Sequence, residues 1–161
     1  NSKIILDAKS GISGAGKSSV ENGLEEDIKE NFKSYNVGFH RHQPEIKDFL
    51  KTEFNLDHEI IFIPHLLPLF RGEYVTLYCE VSQNDLDLNE LYESYYEKHK
   101  LVRVKEKGEI AEIKEVINTF YCDISVSYAF QSNTIIVNSA IDNLLKGAAS
   151  QAIQCLDIMS S

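Results

Sequence analysis

Positive charge is scarce in this chain. Sixteen Lys and Arg stand against 25 Asp and Glu, for a formal net charge of −9 over 161 residues. Duplex nucleic acid is argued against as a partner, because binding it needs clustered Lys and Arg to displace counterions. No apolar run approaches the roughly 20 residues of a membrane span, and no signal-peptide pattern is present. Cysteine is sparse and odd in number: Cys79, Cys122 and Cys155 lie far apart in apolar contexts. Such a set reads as reduced thiols in a cytoplasmic-type compartment. Repeats, low-complexity tracts and linkers are missing too. What remains is ordinary globular composition, 43% hydrophobic and 25% charged, of a length that suits one domain with a proper core. The first residue, Asn1, stands directly before a strand, which reads as a piece of something longer.

Glycine is concentrated in one place. Asp7 to Ser19 reads D-A-K-S-G-I-S-G-A-G-K-S-S, with an apolar strand-like run before it. Gly11, four residues, then Gly16, Lys17 and Ser18 match the Walker A spelling, whose free backbone N–H groups seat phosphate. A nucleotide kinase or ATPase of that type also needs a carboxylate at the end of a second apolar strand to hold Mg²⁺, and a buried parallel sheet. The best strands here end in Pro64-His65 or Val137-Asn138, and two of them alternate. The P-loop reading is therefore kept only as an alternative.

Hydrophobic periodicity orders the rest. Lys3 to Ala8 predicts a strand. From Ser19, Val20, Leu24, Ile28 and Phe32 fall at helical spacing. Asn36-Val-Gly marks a turn into a short extended piece carrying His40-Arg41-His42, and Pro44 suits the first position of a helix with Ile46, Phe49, Leu50 and Phe54 in a stripe. Glu59 to Pro64 reads as a buried strand, and Glu73 to Val81 alternates. Asp87 or Asn89 caps a helix through His99, with Leu91, Tyr92 and Tyr95 inward. Leu101 to Lys105 is a short strand, and Glu109 to Thr119 has helical spacing. Tyr121 to Ala129 alternates, Gln131-Ser-Asn turns into Thr134 to Val137, and the last helix spans Asp142 to Met159. The pattern predicts one α+β domain, residues 1–161, with strands mainly in antiparallel pairings.

Four stretches, in one order and over nearly the whole length, resemble the C-terminal domain of N-acetyl-gamma-glutamyl-phosphate reductases. They are Asp7 to Lys17, Val37 to Ile46 (V-G-F-H-R-H-Q-P-E-I), Phe62 to Gly72 (F-I-P-H-L-L-P-L-F-R-G) and Ser139 to Gln154. The resemblance implies an enzyme of arginine biosynthesis that reduces an acyl phosphate to a semialdehyde with NADPH. It implies a mixed, largely antiparallel sheet with helices on one face, like the C-terminal domain of glyceraldehyde-3-phosphate and aspartate-semialdehyde dehydrogenases. The other face would pair subunits into a homodimer or homotetramer. It also implies that the NADPH-binding Rossmann half and the Gly-Cys-Tyr segment with the nucleophile lie outside this chain, so that the fragment alone is inactive. The family's equivalent of Glu109 to Thr119 is largely extended. The same fold reduced to a non-catalytic dimerisation module is a further alternative.

A cysteine thiolate attacking an acyl phosphate needs a basic or cationic neighbour, and histidine suits that role. By motif match His40 and His42 are the catalytic candidates, with His40 expected as the base. On an extended chain both point one way, into one pocket, and Arg41 faces away unless the chain turns; a purely structural pair is the competing reading. No carboxylate or thiol sits at metal-ligand spacing from them. Arg41, Arg71 and Ser10 are candidate substrate ligands, Arg71 because a guanidinium matches phosphate or carboxylate with two parallel hydrogen bonds. Gly11, Ser13, Gly14 and Gly16 would let the nicotinamide end of the cofactor approach the backbone, or would merely make a tight turn. Asn143 or Gln151 is placed toward the nicotinamide amide, with helix capping by Asp142 as the alternative.

Overall fold

The computed structural model describes residues 3–16, 21, 23–82 and 84–160. Strand β1 (Lys3–Gly11) is the axis of the sheet. It pairs in parallel with β3 (Glu59–Leu67) and antiparallel with β4 (Glu73–Glu80). β4 continues into β7 (Thr134–Ile141), β7 into β6 (Cys122–Tyr128), both antiparallel, and β6 runs parallel to β5 (Val102–Val104). The two-residue β2 (Lys33–Ser34) closes the opposite edge against β3, giving the order β2-β3-β1-β4-β7-β6-β5. The sheet is thus mixed and mainly antiparallel, as the alternating strands predict.

Side-chain alternation divides this sheet into two faces. Register aligns Ile4, Leu6, Ala8 and Ser10 with Ile60, Phe62, Pro64 and Leu66 on one side, and with Cys79, Leu77, Val75 and Glu73 on the other. Ile60, Phe62 and Leu66 are buried on this face, which carries the main helices. Helix α1 (Leu24–Ile28) places Ile28 in a core with Ile12 and Leu66, flanked by Leu24 and Tyr35. Helix α2 (His42–Phe54) starts over Phe62. Helix α3 (Leu88–Tyr96) is capped by the Asp87 carboxylate, which accepts from the N–H groups of Asn89 and Glu90.

The opposite face is covered at one end only. There a single helical turn, α4 (Ile113–Val116), buries Val116 with Ala111, Ala140 and Tyr74. Beside it the Arg103 guanidinium grips the fully buried Asp123 carboxylate with two hydrogen bonds, and the Ala111 N–H donates to Ser125 Oγ. The rest of that face presents Ile5, Ile61, Ile63, Tyr78 and Ile136, each half-buried.

Several expected helices are shorter than their periodicity. α1 begins only after Gly23, whose φ is 86°, and Phe32 leaves the helical path to stack on His65 at 4.9 Å; Val20 lies outside the described residues. In Glu109 to Thr119 only α4 is helical; Glu112 before it is extended, and a turn with Asn118 at φ 60° follows it. α3 ends at Tyr96, and its inner side runs through Leu88 and Tyr92 while Leu91 and Tyr95 are exposed. The last helix opens with a π-turn (Leu145–Ala149) before α5 (Ser150–Ser160). Among the described residues no helix is long and apolar enough to cross a membrane.

Candidate active site

The glycine-rich loop follows directly from β1. The Gly11 N–H donates to Gly72 O at 2.8 Å, the Ile12 N–H to Leu69 O at 2.9 Å and the Ser13 N–H to Phe70 O at 3.0 Å. A Cβ on Gly11 would stand 2.8 Å from Phe70 O and 2.9 Å from Leu69 O. Only glycine tolerates that approach. The N–H groups of Gly11, Ile12 and Ser13 are thus spent on the chain's own carbonyls and are not free to seat a phosphate. Lys17 and Ser18 of that pattern lie outside the described residues.

Asn143 fastens the same loop to the end of β7. Its Oδ1 accepts from the Gly72 N–H at 2.8 Å and its Nδ2 donates to Ser13 Oγ at 2.9 Å. Next to it the fully buried Asp142 carboxylate accepts from the N–H groups of Asn118, Leu144 and Leu145 and from Arg71 Nη1. Burial alone would raise its pKa, but those donors together hold it below the ordinary carboxylate value. Arg71 Nη1 donates to Asp142 Oδ2 at 3.2 Å and to Asn118 Oδ1 at 3.2 Å, so that edge of the guanidinium is engaged within the chain.

Between this clamp and α2 lies a cavity of about 400 Å³. It is lined by Ala8, Ser10, Ser13 and Gly14 from β1 and the loop, by Tyr35, His40, Arg41 and His42, and by Glu73, Asn143, Gly147 and Ala148, among others. The structure thus brings together seven of the expected site residues: Ser10, Ser13, Gly14, His40, Arg41, His42 and Asn143. Gly11, Gly16, Arg71 and Gln151 do not line it. Gln151 sits exposed near the start of α5, its amide donating to Cys155 Sγ, just beyond the cavity-lining Ala148.

The histidine pair is reached by a different path from the one expected. Asn36 (φ 47°) and Gly38 (φ 79°) turn the chain sharply, so His40 sits in a turn and His42 opens α2, two residues earlier than Pro44 suggests. The rings nevertheless meet, at 4.7 Å between centroids and nearly perpendicular. The turn also brings Arg41 to the cavity wall. Phe62 of β3 supports both imidazoles, at 5.0 Å from His40 and 5.8 Å from His42. The His42 backbone N–H donates to His40 Nδ1 at 3.3 Å. A backbone amide can only donate, so His40 Nδ1 is an acceptor and any ring proton of the neutral form is on Nε2. Burial, then the neighbouring charges of His42 and Arg41, lower the His40 pKa below its ordinary value.

Two residues of the cavity carry no sequence motif. Tyr35 precedes the Asn36 turn, and its hydroxyl is pushed up by burial and then by Glu73. Glu73 opens β4, where a carboxylate ordinarily reads as a solvent-facing strand end. Alternation with Val75 and Leu77 puts it on the inward face, and the register pairing it with Ser10 brings it to the cavity. None of the three cysteines lines the cavity. Burial raises the Cys79 thiol and pushes Cys122 up to about 11, the opposite of what a nucleophile needs.

Comparison with known proteins agrees with this architecture. Residues 1–143 match the family described as semialdehyde dehydrogenase, dimerisation domain. The chain is 42% identical over 160 residues to an N-acetyl-gamma-glutamyl-phosphate reductase of Thermoanaerobacter sp. (strain X514), covering 98% of this chain and 46% of the relative. A protein of the same name from Staphylococcus aureus (strain USA300) is 41% identical, with 98% and 47% covered. The chain thus spans a little under half the length of these relatives. Among solved structures, a probable aspartate-semialdehyde dehydrogenase from Pseudomonas aeruginosa superposes with a TM-score of 0.78 at 14% identity, over 99% of this chain and 55% of that one. Aspartate semialdehyde dehydrogenase II from Vibrio cholerae gives 0.75 at 15%, over 98% and 54%. At such identities the likeness speaks for the fold. By the match over most of its length, the chain belongs to the semialdehyde dehydrogenase dimerisation-domain family.

Proposed function

We propose that this chain is the substrate-binding, proton-handling and subunit-pairing half of an NADPH-dependent reductase that converts N-acetyl-γ-glutamyl phosphate to its semialdehyde. The observation that carries the reading is the convergence of two imidazoles and a guanidinium on one small-residue cavity, in a chain about 40% identical to reductases of that name. The remaining half of the relatives' length would hold the cofactor domain and the cysteine nucleophile. The half-buried apolar sheet face of Ile5, Ile61, Ile63, Tyr78 and Ile136 is the surface we assign to pairing with a second copy.

The geometry divides the labour of the histidines. Because His40 accepts a backbone hydrogen bond at Nδ1, its neutral ring offers Nε2–H, a donor suited to oxygen charge developing on the substrate. A ring in that state has no lone pair toward the cavity. His42 is therefore the imidazole we assign as proton acceptor from the thiol, which later returns the proton to the departing product. Arg41 attracts the anionic groups of the substrate. For the cofactor, Ser13, Gly14, Gly147 and Ala148 fit the flat nicotinamide end: a Cβ on Gly14 would stand 2.6 Å from Ser10 Oγ, so this lip is built without side-chain bulk. Ser10 adds a hydroxyl to that lip, whereas both ends of the Asn143 amide are already engaged. When bound, NADPH supplies the hydride.

The test is a comparison of this chain with the complete parent. With acyl phosphate and NADPH, the parent should oxidise NADPH and release phosphate in equal amounts, and the 161-residue chain alone should do neither. Turnover by the purified short chain would place the nucleophile among Cys79, Cys122 and Cys155; an inactive parent would overturn the reductase reading.

A further inference from the structure

Glu73 has no role in anything described so far, yet among the described residues it is the one carboxylate lining the cavity. Register sets it on the same sheet face as Ser10, Ala8 and Phe62, at the end of β4 nearest the histidine turn. Among the described residues it accepts no hydrogen bond and forms no ion pair. Glu73 is half-buried, and a carboxylate partly withdrawn from water gains from a paired positive charge. The other titratable and charged groups lining the cavity are Tyr35 from the loop after β2, His40 and Arg41 from the turn, His42 from the first position of α2, and His65 of β3. The other nearby carboxylate, Glu45 on α2, is exposed and acts on His40.

We propose that Glu73 is a positioning residue for the reaction, the counter-charge across the cavity that favours the positive charge on His42 when that imidazole takes up the thiol proton. A thiolate–imidazolium pair forms more readily when a third group stabilises the cation, and a carboxylate reaching across a low-dielectric pocket does so without touching it. The arrangement explains why an unpartnered carboxylate is kept here: its partner is a charge that appears during the reaction. Burial raises the Glu73 pKa and the charge of His42 opposes that rise. Tyr35 reports the same carboxylate from the other side, its hydroxyl being raised by Glu73.

The proposal rests on the reading of the histidine pair as the proton carrier, and its test can fail separately from it. In the 161-residue chain, with ¹³C-labelled glutamate, the Glu73 carboxyl titration should move upward by about one pH unit in His42→Gln. It should stay in place in Glu45→Gln. An unchanged Glu73 titration in His42→Gln would overturn the proposal whether or not the parent is a reductase. In the complete parent, Glu73→Gln should lower kcat about tenfold with KM nearly unchanged, and displace the pH profile of kcat. Glu73→Asp, which keeps the charge, should restore most of the rate. A Glu73→Gln variant that changes only KM, or a Glu73→Asp no better than it, would overturn the role.

Discussion

The glycine-rich loop and the histidine turn are both short motifs at strand ends, and they use their polar groups in opposite ways. In the loop, the N–H groups of Gly11, Ile12 and Ser13 are consumed by the carbonyls of Gly72, Leu69 and Phe70. In the turn, both imidazoles pack against Phe62 and His40 also against Tyr35, and with the Arg41 guanidinium they line a cavity. The first region is a fastener and the second an instrument. Spelling alone misleads here, because the loop matches a phosphate-binding pattern and the turn matches no short motif of general use. What separates them is whether donors and acceptors are already paired within the chain.

The sharpest way to break that contrast is at His42. In the complete parent, His42→Ala should lower kcat by about a hundred- to ten-thousand-fold with a small change in KM, as expected for loss of a general base. His40→Ala should cost less, since a donor to developing charge would be lost while the base remains. Single-turnover measurement of phosphate release against hydride transfer separates the two. If His40→Ala proves the more damaging, the backbone bond to His40 Nδ1 does not persist in the working enzyme and the roles exchange.

The loop should answer to stability instead. Gly11→Ala drives a Cβ onto two backbone oxygens that cannot swing aside, an overpacking worth about 1–3 kcal/mol. Urea denaturation of this chain should show the loss as a lower midpoint with an unchanged slope. Mg-ATP should give no saturable binding heat in the micromolar range with either form. Saturable binding to the wild type would mean that the loop can open and release its N–H groups.

Much of this contrast can be read from the chain before folding, and the reasons for the rest are physical. Alternation in Glu73 to Val81 and Tyr121 to Ala129 places β4 and β6 well because one residue in two meets the core. Helical periodicity overreaches where local hydrogen bonding competes. Asp142 takes the N–H groups of Leu144 and Leu145 and the last helix opens as a π-turn; Gly23 at positive φ delays α1. His40, His42, Ser10, Ser13, Gly14 and Asn143 are foreseeable as neighbours through the family motifs. The tie of Arg71 to Asp142 is not foreseeable, because the two lie 71 residues apart. The inward face of Glu73 follows from the alternation of β4, but its place in the cavity depends on its pairing with the distant Ser10.

The smallest expected effect is also the one that reads the turn most directly. Burial, then His42 and Arg41, hold the His40 pKa below its ordinary value near 6.5 in the folded chain. The unfolded chain takes up the proton at the ordinary value. Between the two, the unfolded state binds more protons, so stability rises with pH there. The contribution of His40 is therefore fully present above pH 6.5 and is lost as pH falls through the depressed folded value. Because the ring is partly exposed, solvent screening keeps the effect small. Urea midpoints of this chain measured from neutral pH downward should fall less steeply in His40→Gln than in the wild type over that window. The corresponding Gly11→Ala curve should keep the wild-type shape and lie lower throughout, since no titrating group is altered. If His40→Gln leaves the slope unchanged, the imidazole titrates in the folded chain as it does in the unfolded one. The turn would then exert no hold on its proton.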